Sequence, residues 1–365
     1  MKAANQTGAD SANEFAVQTF ARMLRDDPDG NWVYSPASLW FVMGMAVIGA
    51  RGRTLSEMMA AMSLDDIGPL ISARAEMLGA SSVRMGNMLL CHDGYRLRPE
   101  FVEACESRMG AVAWARDFRD PGTVPEVNAW ISEMTAGKIT QLLGGLSENL
   151  RLVLINAIYF KSSWMEPFKD AVQKDFKHPA GTSPCWMMKR EKDDIQYCEA
   201  ANYRAVKLPY SDRRSSMVLI LPNEGHTPAS VVGQLTVSGW SSLMGAMRTN
   251  EVEVQLPRFR VERTMERELM KALYDMGVRE AFSIESSDFS GMDPADMLYV
   301  QSIVQKAIVE VDEQGTEAAA ATAMMFAMRS ISLGPTQIVF DRPFVYAIVD
   351  DVTGLVTFIG TVDRP

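Results

Sequence analysis

The chain has 365 residues and a net charge of −10, with 47% hydrophobic and 22% charged residues. This composition excludes extended disorder, and a sequence pI near 5.0 disfavours nucleic acid and anionic membrane surfaces as partners. The long apolar run at residues 39–50 is too short to cross a bilayer. Because the sequence contains neither a repeat nor a low-complexity linker, we predict one domain over residues 1–365.

The first half of the chain predicts helices around one short strand. Apolar residues at helical spacing indicate an N-terminal helix that begins at Asn13 as its cap. Residues 32–35 are typical of a strand, and the apolar run at 39–50 predicts a buried helix. A further helix is predicted to begin at Thr54, since Glu57 completes the pattern of a capping box.

The second half is richer in strands. Residues 151–164 are almost continuously apolar, which favours a central strand covered on both faces. Residues 215–225 and 251–262 predict two more strands, and residues 264–277 predict a helix that stops at a glycine.

The C-terminal residues 344–360 predict a hairpin around a polar turn. Strands and helices that do not alternate regularly indicate an α+β fold with mostly antiparallel sheets.

No catalytic or metal-binding motif stands out. His92, His178 and His226 are the only histidines, and none lies in a zinc or triad signature, so we expect no metal, no cofactor and no catalytic residue. A hydrolase with a dispersed Ser or Cys nucleophile remains open as an alternative. The four cysteines lack the close pairing of a zinc or redox site, which predicts free and mostly buried thiols.

The N-terminal residues carry no secretory signal pattern. The protein is therefore cytoplasmic if this terminus is complete, or secreted if a signal was removed.

Residues 312–340 form the most unusual stretch. Four consecutive alanines, Ala318 to Ala321, leave a helix no apolar stripe to bury, although an exposed helix remains open from propensity alone. Read with period two, the stretch suits a strand of small side chains that follows the flexible Gly315. Arg329 at the far end of that strand is what a trypsin-like protease would cleave in a loop, although an ordinary solvated arginine is the preferred interpretation without the surrounding pattern.

Five segments carry a resemblance to a known family: residues 33–58, 128–139, 154–168, 311–330 and 341–365. They closely resemble the serpin family, and the resemblance extends from about residue 15 to residue 365. The resemblance implies three β-sheets, eight or nine helices and a reactive-centre loop, about residues 313–335, above a five-stranded main sheet. It also implies suicide inhibition, in which the cleaved loop inserts into that sheet and traps the protease as an acyl-enzyme.

The resemblance assigns roles within the loop. It places the reactive bond between Arg329 and Ser330. The flanking specificity residues are Phe326, Ala327 and Met328. The hinge comprises Glu313, Gly315, Thr316, Glu317, Ala318, Ala319, Ala320 and Ala321.

The resemblance also assigns residues that control opening of the main sheet. They are Ser35, Ser38, Asn156, Trp164 and Gln305. Gln305 departs from the family, because many members carry a histidine there. An amide can both donate and accept a hydrogen bond, so it could replace the imidazole.

The implied partner is a trypsin-like serine protease bound covalently to a monomer. Alternatives are a non-inhibitory carrier or chaperone, or an inhibitor of elastase-like, chymotrypsin-like or papain-like proteases through Met328 or Phe326. No heparin site is expected at residues 65–80, where Arg74 is the only basic residue.

Overall fold

The computed structural model describes residues 2–78, 82–295, 298–316 and 336–365. Within these ranges, none of the helices is long and apolar enough to span a membrane. The helices are α1 (Lys2–Asp26), α2 (Pro36–Gly49), α3 (Gly52–Ala61), α4 (Gly68–Leu78), α5 (Pro99–Met109), α6 (Thr123–Met134), α7 (Pro228–Val232), α8 (Val237–Ala246) and α9 (Arg267–Asp275), with a 3₁₀ helix at Glu280–Phe282.

The strands are interspersed among these helices without regular alternation. They are β1 (Trp32–Tyr34), β2 (Val83–His92), β3 (Val112–Arg116), β4 (Leu152–Phe160), β5 (Ser162–Ser163), β6 (Lys169–His178), β7 (Gly181–Glu199), β8 (Tyr203–Pro209), β9 (Ser215–Pro222), β10 (Arg248–Pro257), β11 (Phe259–Met265), β12 (Val300–Val311), β13 (Gly315–Thr316), β14 (Thr336–Val339), β15 (Phe344–Asp350) and β16 (Val356–Val362).

The strands form one large sheet, one five-stranded sheet and one short pair. The large sheet runs β1-β16-β15-β9-β8-β7-β10-β14, with β6 paired to β7, and among the described strands only its β10–β14 pair is parallel. The five-stranded sheet, which we call the main sheet, runs β11-β12-β4-β2-β3, and β13 pairs with β5. The predicted α+β class with mostly antiparallel sheets is confirmed. That residues 1–365 form one domain stays a prediction.

The main sheet is covered on both faces. Every residue of β4 is buried, as its apolar sequence predicts, and α2 packs against β4 and β2 on the inner face. On the outer face, α6 rests on Gly86 of β2, where an added Cβ would lie 3.0 Å from the ring of Trp130. A second apolar cluster fills the space under α6. The predicted buried helix is confirmed, since α2 is enclosed along almost its whole length.

Two predicted helix caps are wrong. Asn13 lies inside α1, and its side chain donates to the carbonyl of Gly354 at 2.8 Å and accepts from the amide of Val356 at 2.9 Å. Glu57 accepts from the backbone amides of Arg279 and Glu280, while Thr54 is already inside α3. In both places the polar side chain forms hydrogen bonds with distant backbone groups. Without these bonds, the fold would bury those groups unpaired.

Two element boundaries also differ from prediction. Residues 251–262 divide between β10 in the large sheet and β11 in the main sheet, because the chain leaves the first sheet at Pro257. The helix predicted from residue 264 begins at Arg267, since Thr264 and Met265 continue β11 opposite β12.

The four cysteines are free and buried, as predicted.

Arg74 on α4 lies inside the fold, with 3% of its surface exposed. One guanidinium nitrogen donates to the carbonyl of Gly110 at 3.3 Å, and the group lies 5.7 Å from the ring centre of Phe41. Nε and Nη1 are buried and find no hydrogen-bond partner among the described residues. Desolvation lowers the pKa of Arg74 to about 10.

Replacing Arg74 with methionine is expected to stabilise the protein. The change removes a buried charge that has no ionic partner among the described residues and keeps a long apolar side chain, so we expect the free energy of unfolding to rise by about 1–2 kcal/mol. Denaturant unfolding measures the difference. Arg108→Met, at an exposed position of α5, is the matched control and is expected to change stability by less than about 0.5 kcal/mol. A loss of stability in Arg74→Met alone would contradict the prediction.

Candidate functional site

The predicted hinge begins at a tight turn that closes the end of β12. The carboxylate of Asp312 accepts from the amides of Gln314 at 2.8 Å and Gly315 at 3.1 Å. Gly315 has φ of +149°, and a Cβ there would lie 2.4 Å from the carbonyl oxygen of Ser162. The close pairing of β13 with β5 therefore requires glycine at this position.

Thr316, the first residue after this turn, lies beside a pair of stacked aromatic rings. Trp164 stacks on Tyr210 with ring centres 4.6 Å apart, and its indole donates to the carbonyl of Asp312 at 3.0 Å. Thr316 is completely buried, and its hydroxyl lies 2.8 Å from the hydroxyl of Tyr210. Burial raises the pKa of Tyr210, which keeps the phenol neutral. The described part of the loop base thus ends at a buried residue, just beyond the C-terminal end of β12 in the main sheet.

An ion pair fixes the base of the loop from the other side. Arg258, in the link between β10 and β11, donates to both carboxylate oxygens of Glu313 at 2.9 Å, and the amide of Ala171 donates to one of them at 3.0 Å. Burial opposes ionisation of Glu313, but these hydrogen bonds outweigh it and lower the pKa of its carboxyl. Glu313 therefore joins the end of β12 to β6 and to the large sheet.

Replacing Arg258 with methionine is expected to lower the unfolding temperature at neutral pH and to have little effect in acid. A carboxyl whose folded pKa is lowered stabilises the fold fully above its unfolded pKa, about 4.3 for glutamate, and loses that effect as pH falls through the folded value. The measurement is the difference in unfolding temperature between wild type and variant from pH 7 to pH 3. Arg260→Met is the control, because its exposed guanidinium pairs with Glu262 on β11 and Glu310 on β12, and only a small difference is expected at either pH. A difference that stays constant with pH would contradict the assigned role of Glu313.

A seam between parallel strands lies in the middle of the main sheet, and the β2–β3 pair at one edge is the other parallel pair among the described strands. β12 and β4 run side by side in the same direction, from Ser302 opposite Val153 to Ile308 opposite Tyr159. β12 leads directly into the loop base, and β13 lies at the upper end of this seam. A chain that turned back at Gly315 could therefore enter between β12 and β4, antiparallel to both.

Buried amides and hydroxyls hold the seam closed beneath its middle. Gln305 of β12 accepts from the amide of Ser35 at 2.9 Å and donates to its carbonyl at 2.9 Å and to Asn156 of β4 at 2.7 Å. Asn156 donates in turn to Ser38 of α2 and to Asn87 of β2, the latter at 2.6 Å. All five side chains are buried. Gln305 thus uses both functions of its amide, and none of these five side chains ionises near neutral pH.

Several site residues were not found from the sequence. Tyr210, Arg258 and Asn87 each contact a predicted residue, yet each lies far from it in the chain and in no recognisable motif. The remaining predicted residues fall within residues 317–335, outside the described part of the chain, and their roles stay predictions. They are Glu317, Ala318, Ala319, Ala320, Ala321, Phe326, Ala327, Met328, Arg329 and Ser330.

One group of candidate metal ligands occurs elsewhere in the described part of the chain. Ligand atoms of His92, Asp93 and Asp117 lie within 4.8 Å of one another. However, Nδ1 of His92 already accepts from the amide of Gly94, and Asp117 is hydrogen-bonded to Arg119. Two of the three candidate ligands, His92 and Asp117, therefore already have hydrogen-bond partners within the chain.

Comparison with known proteins agrees with this geometry. A family model described as "Serpin (serine protease inhibitor)" matches residues 10–365. An uncharacterised serpin-like protein of Thermococcus kodakarensis is 33% identical over 97% of this chain and 84% of its own length. The leukocyte elastase inhibitor of Bos taurus is also 33% identical, over 96% of this chain and 97% of its own.

Solved structures give the same result. The crystal structure of Serpin48, a highly specific serpin of the insect Tenebrio molitor, superposes with a TM-score of 0.87 at 27% identity and covers 99% of this chain and 98% of its own. The native state of the thermophilic serpin tengpin has a TM-score of 0.89 at 25% identity, over 98% of this chain and 94% of its own. The chain therefore belongs to the serpin family of serine protease inhibitors.

Proposed function

We propose that this protein is a suicide-substrate inhibitor of trypsin-like serine proteases, with the reactive bond between Arg329 and Ser330. The protease serine Oγ attacks the carbonyl carbon of Arg329, the peptide bond to Ser330 breaks, and the new amine leaves with a proton. The product is an ester between the protease and Arg329. The loop, now free at one end, inserts into the main sheet and carries the protease away from the loop's starting position.

The single observation that carries this proposal is the closed parallel seam above which the loop begins. Insertion replaces one parallel pair, β12 with β4, by two antiparallel pairs, which adds a full strand of hydrogen bonds and buried surface. Residues 316–329 would span roughly 45 Å at about 3.3 Å per residue, enough to run the length of the sheet. The closed form is therefore metastable, and the energy released on insertion acts on the trapped enzyme.

The identity of the target depends on the side chain at the reactive bond. Arg329 favours a trypsin-like enzyme, because a long cationic side chain requires an anionic pocket. A second candidate is an elastase-like or chymotrypsin-like enzyme that cuts after Met328 or Phe326. The observation in its favour is the match to leukocyte elastase inhibitors of several animals.

Incubation of the protein with an equimolar amount of trypsin, pancreatic elastase or chymotrypsin distinguishes the two candidates. Denaturing gels reveal a covalent complex at the summed mass, and mass spectrometry of the released C-terminal fragment identifies the bond that was cut. We expect a complex with trypsin and a fragment that begins at Ser330.

A complex with elastase or chymotrypsin alone would replace the first candidate by the second. Cleavage of the loop by all three enzymes without any complex would refute inhibition and support a carrier or chaperone.

A further inference from the structure

The segment after α6, residues 135–146, crosses the outer face of the main sheet, and we call it the strap. Its buried residues Ile139, Leu142 and Leu143 belong to the same apolar cluster as residues of both β4 and β12. The ammonium group of Lys306 on β12 donates to the carbonyl of Gln141 at 3.1 Å. The strap therefore lies over the seam through which an inserting strand must pass.

Asn128 of α6 holds the strap in place. Its side-chain oxygen accepts from the amides of Leu142 at 2.9 Å and Leu143 at 3.0 Å, and its nitrogen donates to the carbonyl of Leu143 at 2.8 Å. One amide group thus satisfies three backbone groups of the strap. Thr135 adds a further hydrogen bond, from the amide of Ile139 at 3.1 Å.

An inserting strand would displace these contacts. In a strand, alternate side chains face opposite sides of the sheet, so half of the inserted side chains would point at the strap. Val304 and Ile308 of β12 now share that space with Leu142 and Leu143. Since packed interiors hold no spare volume for a new strand, the strap must lift before the seam can be filled.

We propose that Asn128 is a positioning residue that sets the rate at which the seam opens, through its hold on the strap. This inference rests on the proposed function, because insertion is the step that it controls. In the closed form, loss of the side chain leaves two buried amides and one carbonyl without their partner, whereas water satisfies them once the strap has lifted. Removal of Asn128 therefore raises the energy of the closed form more than that of the open one, and insertion accelerates.

The test follows insertion without any protease. A synthetic peptide with the sequence of residues 316–327, TEAAAATAMMFA, is added in excess, and its uptake is followed by tryptophan fluorescence and by the rise in unfolding temperature. We expect Asn128→Ala to take up the peptide about tenfold faster than wild type. Asn128→Asp keeps an acceptor for both amides, strengthened by its negative charge, but turns a carboxylate oxygen toward the carbonyl of Leu143, so an intermediate rate, about threefold faster, is expected.

Asn13→Ala is the matched control. Asn13 also bridges a backbone amide and a backbone carbonyl, but it joins α1 to the turn between β15 and β16, away from the seam. It is expected to lower the unfolding temperature and leave the uptake rate within about twofold of wild type. The inference is overturned if Asn128→Ala inserts the peptide no faster than wild type, or if Asn13→Ala accelerates uptake equally.

Should Asn128→Ala fail to fold, Asn128→Asp decides by the same criterion. If wild type takes up no peptide, the inference is also overturned. If peptide uptake follows the expected order but no protease is trapped, the proposed function fails and the role of Asn128 stands.

Discussion

Replacing Arg329 with alanine is expected to abolish the covalent trapping of trypsin. The primary pocket of a trypsin-like enzyme binds a cationic side chain through a buried carboxylate, and an alanine leaves that carboxylate without its partner. Pockets built around a polar contact discriminate strongly against side chains that lack it, so we expect the second-order rate of trapping to fall at least about 10³-fold. Stopped enzyme assays at several inhibitor concentrations measure this rate.

Two controls define the interpretation of Arg329→Ala. Arg267→Ala removes an exposed arginine from the start of α9, which lies beside the beginning of β12 and not beside the loop base, and is expected to trap trypsin at the wild-type rate. Peptide uptake by Arg329→Ala should also equal that of wild type, because the change leaves the seam intact. Unchanged trapping by Arg329→Ala would show that a different bond is the reactive one.

Replacing Thr316 with arginine is expected to convert the protein from an inhibitor into a substrate. Thr316 is fully buried, and its hydroxyl contacts Tyr210, which stacks on Trp164. A guanidinium at this position must either be desolvated without an ionic partner or keep the start of the loop out of the sheet. Either outcome delays the first step of insertion, so the acyl-enzyme is hydrolysed before it is trapped.

The expected result for Thr316→Arg is complete cleavage of the loop by trypsin with active enzyme left over. Residual protease activity and denaturing gels at equimolar ratio provide the measurement, and the fraction of inhibitor that forms a complex should fall to nearly zero.

Thr336→Arg is the matched control, because Thr336 is exposed on β14, at the other end of the loop. It is expected to leave the complex fraction unchanged. If Thr316→Arg still forms the complex in full, entry at Thr316 does not limit insertion.

Resemblance to a known family predicted much of the candidate site, but not the partners of its residues. Glu313, Gly315, Thr316 and Trp164 were all predicted from the sequence, and the structure brings them together at the loop base. Their contacts Arg258 and Tyr210 were not predicted. Tyr210 follows β8 and Arg258 links β10 to β11, so both become neighbours of the loop base only when the large sheet meets the main sheet.

The sequence by itself determined the elements whose environment is uniform along their length. β4 is apolar at nearly every position because both faces of the main sheet are covered, and α2 is apolar because it lies beneath that sheet. The roles of the small residues at 318–321 and of Arg329 rest on the sequence alone and stay predictions.

The tertiary structure alone decided which distant backbone groups the polar side chains satisfy. Asn13 and Glu57 have the sequence pattern of helix caps, yet each serves backbone groups more than 200 residues away. Asn128 holds a strap whose position over the seam no local pattern reveals. The physical reason is that a buried donor or acceptor requires a hydrogen-bond partner, which can come from any part of the chain. Which residues lie close enough to be that partner is decided only by the complete topology.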